Sequence, residues 1–128
     1  ASRAPVAAGD TASPLDGRWD ERRTWITHYF DRTAAVAWAK LTSDAPVSGI
    51  RRTVREGREQ MRRTLAGWLP ADLTGARVLD AGCGPGVFAM ELAARGARVV
   101  AVDVSPTLVG LAQERAAAQA GAERIQWR

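Results

Sequence analysis

The stretch Val78-Leu79-Asp80-Ala81-Gly82-Cys83-Gly84-Pro85-Gly86 limits what this chain can become more than any other. An apolar run ends in an acidic residue, and glycines then recur at alternate positions. The pattern predicts a strand, a tight loop and a helix in succession. Glycine admits positive φ and has no Cβ, so a ligand can lie against the bare backbone of such a loop. The first amides of the next helix then face that ligand with the positive end of the helix dipole. A nucleotide-like cofactor is the implied occupant.

The spacing narrows the choice. A dinucleotide fold requires Gly-x-Gly-x-x-Gly, with the third glycine three residues after the second. Here the third, Gly86, comes two after Gly84, and Val87 follows. An acidic strand end followed by Gly-x-Gly-x-Gly resembles motif I of the class I S-adenosylmethionine (SAM) methyltransferases. That resemblance implies that Asp80, Ala81, Gly82, Cys83, Gly84 and Gly86 surround the methionine and ribose portion of SAM, with S-adenosylhomocysteine (SAH) as product. A second acidic signal agrees. Arg98-Val99-Val100-Ala101-Val102-Asp103 reads as a buried strand ending in a carboxylate, 23 residues after Asp80. A carboxylate there can accept both ribose hydroxyl protons, and Val104 and Ser105 continue the same contact. A glycine-rich turn without a ligand would leave this second carboxylate unexplained.

Taken in order, the chain divides into three parts. Residues 1–15 are small and polar with prolines, and are expected to be a disordered tail. Residues 16–70 are expected to form a helical arm. Its first helix, from about Asp16 to Ser43, carries an apolar stripe through Trp19, Ile26, Phe30, Ala34, Ala37, Trp38 and Leu41, and Asp44-Ala45-Pro46 breaks it. A second helix runs from about Val47 to Trp68. Ser48 is its candidate N-cap, and Ile50, Val54, Met61, Leu65 and Trp68 share one face. Gly57 sits within it at a cost of about 1 kcal/mol relative to Ala, which suggests close approach of a packing partner or ligand. Residues 71–128 alternate β-α-β-α-β, predicting an α/β fold with a parallel, doubly wound sheet and a cofactor beyond the strands' carboxyl ends. Gly96 is the expected C-cap of the first of these helices. Ser105-Pro106 is the expected N-cap and first turn of the second.

At 128 residues the chain has room for one ordinary domain. Class I methyltransferases have a seven-stranded sheet, whereas this sequence reaches only the start of a third strand at Arg124. It therefore reads as the front half of a longer protein, and the lack of an initiator Met points the same way. The single cysteine, Cys83, excludes an intrachain disulfide and suits a cytoplasmic setting. Between two motif glycines it reads as a spacer rather than a nucleophile. No apolar run approaches the ~18–20 residues needed to span a bilayer.

The net charge of +4 lies wholly in the first part, where residues 1–70 hold 12 basic and 8 acidic groups and residues 71–128 hold 6 of each. An acidic substrate, an anionic membrane surface or a plain solvated helix face would each account for it. A nucleic-acid module is disfavoured, because the arginines sit on one helix without interleaved exposed aromatics.

Two runs in the arm carry a sharper resemblance: His28-Tyr29-Phe30-Asp31-Arg32-Thr33-Ala34 and Val47-Ser48-Gly49-Ile50-Arg51-Arg52-Thr53-Val54-Arg55-Glu56-Gly57-Arg58. These resemble the magnesium-protoporphyrin IX O-methyltransferases of chlorophyll and bacteriochlorophyll biosynthesis, over roughly residues 21–128. The resemblance implies methylation of one propionate of the Mg-porphyrin, with the arm as a lid, magnesium chelatase as neighbour, and a setting peripheral to the photosynthetic membrane. Tyr29 is the candidate for orienting a carboxylate or contacting SAM; its alternative is a packing aromatic. His28, the only histidine, points about 100° away from Tyr29 on a helix, so the two do not both face the site. Arg51 and Arg58, seven apart on one face, are candidates for the second propionate. No metal site in the protein is expected. A quinone-type small-molecule methyltransferase would share every SAM residue and differ only in the arm.

Overall fold

The computed structural model describes residues 14–128, so most of the expected tail lies outside the described residues. The arm begins with helix α1 (Pro14–His28), whose proline at the first position carries no amide proton that a helix start would leave unpaired. It continues through a π-helical turn (Tyr29–Ala34) into α2 (Ala35–Leu41). The single helix expected here is thus one run with a wider turn in its middle. A π turn inserts an extra residue and swings the following side chains round the axis. Helix α3 (Gly49–Gly67) follows. Ser48 occupies its N-cap in an extended conformation, but its hydroxyl makes no capping bond.

Arginines close the helix ends. Arg55 donates to the carbonyls of Leu41 (3.0 Å), Lys40 (2.6 Å) and Ala45 (2.7 Å), fastening α3 to the end of α2. Arg95 donates to Ala66 at the end of α3 (2.8 Å), and Arg115 to Ala39 (3.2 Å). These guanidiniums satisfy last-turn carbonyls and complement the negative ends of the helix dipoles. Arg62 pairs with Glu59 and with Glu91. Of the arm's own basic residues, Arg55 and Arg62 are thus structural, while most of the others are exposed.

The apolar stripe of α3 is not what docks it. Ile50 is 83% exposed and Trp68 75%, and Val54, Met61 and Leu65 are exposed as well. The helix meets the rest of the chain through its other side, where Ala66 is buried and Arg55 and Arg62 make their bonds. Gly57 faces open space, so no packing contact within the described residues explains it.

Three strands, β1 (Arg77–Ala81), β2 (Arg98–Val102) and β3 (Ile125–Trp127), form a parallel sheet in that order, with Asp80 opposite Ala101 and Ala101 opposite Trp127. Helix α4 (Val87–Ala94) links β1 to β2, and α5 (Pro106–Ala116) leads towards β3. Right-handed crossovers between successive neighbouring strands place both helices on one face. There Ala89, Leu92 and Ala93 of α4 pack on Val99 and Ala101 of β2, with Phe88, Ile125 and Trp127 against them. Alternation along the strands sends Leu79 and Val100 to the opposite face, where Leu79 is 66% exposed. The sheet of the described residues is thus wound on one side, where the β-α alternation alone predicts both. Gly96, at φ +103°, ends α4 as expected, and Arg124 donates to the Ala93 carbonyl beside it (2.8 Å).

Candidate cofactor site

The loop after β1 takes the shape its glycines allow. Gly82, Gly84 and Gly86 have φ of +80°, +51° and +81°, the left-handed region that other residues enter only with strain. A Cβ at Gly82 or Gly84 would meet nothing within 4 Å, so the space above both is open. Gly86 differs: a Cβ there would fall 2.5 Å from the Trp127 ring and 2.9 Å from the Ala112 methyl. The first two glycines leave room for a ligand, and the third lets α4 and α5 close on β3.

The loop amides bond within the protein. Gly82 and Cys83 both donate to the Val102 carbonyl (2.7 and 2.9 Å), and Gly86 donates to Cys83 (2.9 Å). Gly84 donates to Oδ2 of Asp103 (2.9 Å), while Oδ1 of the same carboxylate accepts from the Ser105 amide (2.9 Å). Asp103 therefore ties the glycine loop to the segment after β2, at the carboxyl edge of the sheet. The loop amides hold the shape that leaves Gly82 and Gly84 bare, rather than pointing free into the site.

Asp80 carries the clearest chemical signal. Its Oδ2 is the one buried side-chain nitrogen or oxygen among the described residues without a hydrogen-bond partner. Burial, and after it the nearby negative charge of Asp103, push the Asp80 carboxyl above its ordinary value. A buried carboxylate with no donor is costly, and a cationic donor entering the site would relieve both causes.

Cys83 is a member of the hydrophobic core, and burial with the charges of Asp103 and Asp80 pushes its thiol up to about 12. At pH 8 its thiolate fraction is on the order of one in ten thousand. We expect alkylation of Cys83 by iodoacetamide in the folded protein to be at least about a hundredfold slower than that of the denatured chain. Equal rates, followed by mass spectrometry, would contradict a buried spacer role.

Ser105 is fully buried, and its hydroxyl accepts the Leu108 amide (3.2 Å) as the N-cap of α5, as its position predicts. The hydroxyl also donates to Oδ1 of Asp31 (3.0 Å), so its side chain is turned away from the glycine loop's open space and into a contact with the arm. Val104 is exposed. Tyr29 stands in the π turn, its ring stacked on Trp25 (5.6 Å between centroids) and edge-on to Phe30 (5.4 Å). Phe30 touches Trp38, and Arg58 lies over the Trp38 ring at 4.3 Å, where burial pulls its guanidinium below the usual value. Arg58 is thus joined to the aromatic ladder although, like Arg51, it is an exposed residue of α3. His28 lines a hollow of about 300 Å³ with Asp31 and Arg32, away from the Tyr29 stack. Among the described residues no cluster of His, Cys, Asp or Glu could hold a metal.

Sequence reasoning missed Asp31 as a contact. Its partner was foreshadowed only as a need: Pro106 has no amide proton, Ser105 takes the amide at the third helical position, and the Thr107 amide between them still requires an acceptor. Asp31 accepts it (2.8 Å) from 76 residues away.

The strand–glycine loop–helix unit brings carboxylates to two adjacent strand ends, and the family model described as a methyltransferase domain matches residues 78–128. The chain has the fold of the class I SAM-dependent methyltransferases. Within them it is similar to the magnesium-protoporphyrin O-methyltransferase of Rhodobacter capsulatus, at 58% identity over 96 residues, covering 74% of this chain and 43% of that protein. The crystal structure of magnesium protoporphyrin IX methyltransferase from Synechocystis PCC 6803 with bound SAH superposes with a TM-score of 0.76 at 31% identity, covering 83% of this chain and 50% of that one. A ubiquinone biosynthesis O-methyltransferase of Xanthomonas oryzae is 52% identical over 42 residues, 33% of this chain and 18% of that protein. The chain spans about half the length of the magnesium-protoporphyrin relatives it matches.

Proposed function

We propose that this chain is the arm and SAM-binding half of an O-methyltransferase that esterifies one propionate carboxylate of Mg-protoporphyrin IX, giving the monomethyl ester in chlorophyll or bacteriochlorophyll biosynthesis. The observation that carries the acceptor is the reach of the likeness. Only 51 residues lie from Val78 to the end of the chain, so a 96-residue match must run back through the arm. The quinone-type reading is supported by a match of 42 residues, too short to include both arm and cofactor half.

The residues suit SAM. Asp80 Oδ2 lacks a donor and would accept from the ammonium of its methionine part; Asp103, tied to the glycine loop, would accept from the ribose hydroxyls; Gly82 and Gly84 leave the approach clear. When bound, SAM supplies an electrophilic methyl on a sulfonium. A propionate is ionised near pH 7, so its oxygen forms the new bond to the methyl carbon as the sulfur keeps the old bonding pair, and no proton moves. What the protein must provide is in-line placement and exclusion of water. Tyr29 would orient the carboxylate or touch the cofactor. Arg51 would hold the second propionate, with Arg58 placing its charge beside the Trp38 face. Contact with magnesium chelatase rests on family resemblance. The exposed stripe of α3 next to Arg51 suits peripheral contact with a membrane surface; no described helix is long and apolar enough to cross one.

The test is mass spectrometry of products from the full-length protein given SAM with Mg-protoporphyrin IX, metal-free protoporphyrin or a quinol precursor. One added methyl on the Mg-porphyrin alone is the expected result. Methylation of the quinol instead would keep the SAM site and end the porphyrin assignment.

A further inference from the structure

We propose that Asp31 is a positioning residue whose bond to the start of α5 couples docking of the arm to occupancy of the cofactor site; this rests on the SAM reading above. The observation is an unbroken chain of hydrogen bonds. Asp31 Oδ1 accepts from the Thr107 amide (2.8 Å) and from the Ser105 hydroxyl (3.0 Å). The Ser105 amide donates to Asp103 Oδ1 (2.9 Å), and Asp103 Oδ2 accepts from Gly84 of the glycine loop (2.9 Å). Arm and loop thus meet through two residues, Ser105 and Asp103.

The chemistry at each link explains the arrangement. Proline at the first position of α5 leaves two amide donors in its opening turn; Ser105 caps one, and Asp31, from the arm, caps the other. A carboxylate at a helix N-terminus also gains from the helix dipole. These bonds hold the Asp31 carboxyl below its ordinary value, so it is charged at neutral pH. The π turn is what delivers it: Tyr29–Ala34 depart from the α-helical phase over the very residues that include Asp31. Tyr29 lies two residues earlier in the same turn, so fixing Asp31 fixes the backbone that carries the Tyr29 ring.

Asp103 is shared between the two ends of the chain of bonds. A ligand that orders Asp103 orders the Ser105 amide, and with it the surface on which Asp31 sits. By linkage, whatever factor the ligand adds to arm docking, arm docking adds to ligand affinity.

The experiment uses the full-length protein as wild type, Asp31→Ala and Asp31→Asn, with SAH titrated by calorimetry and tryptic cleavage after Arg32 timed with and without SAH. In the wild type, SAH slows cleavage by about tenfold, the scale of one helix cap. In Asp31→Ala the slowing disappears and SAH dissociates about tenfold more readily, with an unchanged far-ultraviolet spectrum. Asp31→Asn recovers most of both, since a single oxygen accepts both bonds. Protection of Asp31→Ala equal to wild type overturns the proposal. So does loss in both variants together with a lowered melting temperature, which would make Asp31 a stability residue only. Failure of the wild type to bind SAH would instead remove the cofactor reading, and this proposal with it.

Discussion

Asp80→Asn is expected to weaken SAH binding by about ten- to a hundredfold while raising the melting temperature of the cofactor-free protein. The two effects share one cause. Oδ2 of Asp80 is buried without a donor, and burial and Asp103 raise its folded pKa. A carboxyl whose folded pKa exceeds its unfolded value contributes stability when protonated, below the unfolded pKa, and loses that contribution as pH rises through the folded value. At neutral pH the charged group is therefore a net cost to the empty protein, and an amide of the same shape removes it. A cationic donor reverses the balance. A hydrogen bond to a charged partner is worth about 1.5–3 kcal/mol, which is the expected affinity loss in the amide variant. SAH affinity should also fall as pH is lowered through the raised Asp80 pKa, and this slope should vanish in Asp80→Asn. Calorimetric titration across pH with parallel melting curves checks both. An Asn variant that binds SAH as well as wild type would show that the unpaired oxygen does not face the ligand.

Gly86→Ala and Gly82→Ala should fail in different ways although their backbone angles are nearly equal. Each puts a Cβ on a residue with φ near +80°, which costs roughly 1–2 kcal/mol. At Gly82 that is the whole structural penalty, because the added methyl enters open space. At Gly86 the methyl would also drive into Trp127 and Ala112, and overpacking adds about 1–3 kcal/mol. Chemical denaturation should therefore find Gly86→Ala destabilised by roughly 2–5 kcal/mol. Gly82→Ala should fold at a small cost yet lose SAH affinity, because its methyl occupies the proposed path of the ligand. If the two variants lost the same stability and the same affinity, the division between a ligand-side and a packing-side glycine would be wrong.

The local grammar of the chain was sufficient for the strand–loop–helix unit, for the left-handed glycines, and for the Ser105 cap with Pro106 behind it. These follow from φ preferences, helix-start chemistry and apolar periodicity over a few consecutive residues, which the amino-acid order carries directly. It was also sufficient for the two carboxylates, because parallel strands joined by right-handed crossovers bring successive strand ends to one edge. The arm was legible as helical but not as placed. Periodicity in α3 marks an apolar face without naming what covers it, and the structure docks that helix by Ala66 and its arginines instead.

What only the tertiary structure decided depends on contacts between residues far apart in the chain. The Asp31 bond spans 76 residues, and the helix ends that Arg55, Arg95 and Arg115 close belong to other elements. The π turn that aims Asp31 has no sequence periodicity of its own. The unpaired oxygen of Asp80 is likewise invisible in the order of residues, since a missing donor is a property of the packed surroundings. The sequence determined that a carboxylate stands at the end of β1; its packed surroundings beside Asp103 are what leave one oxygen buried without a donor.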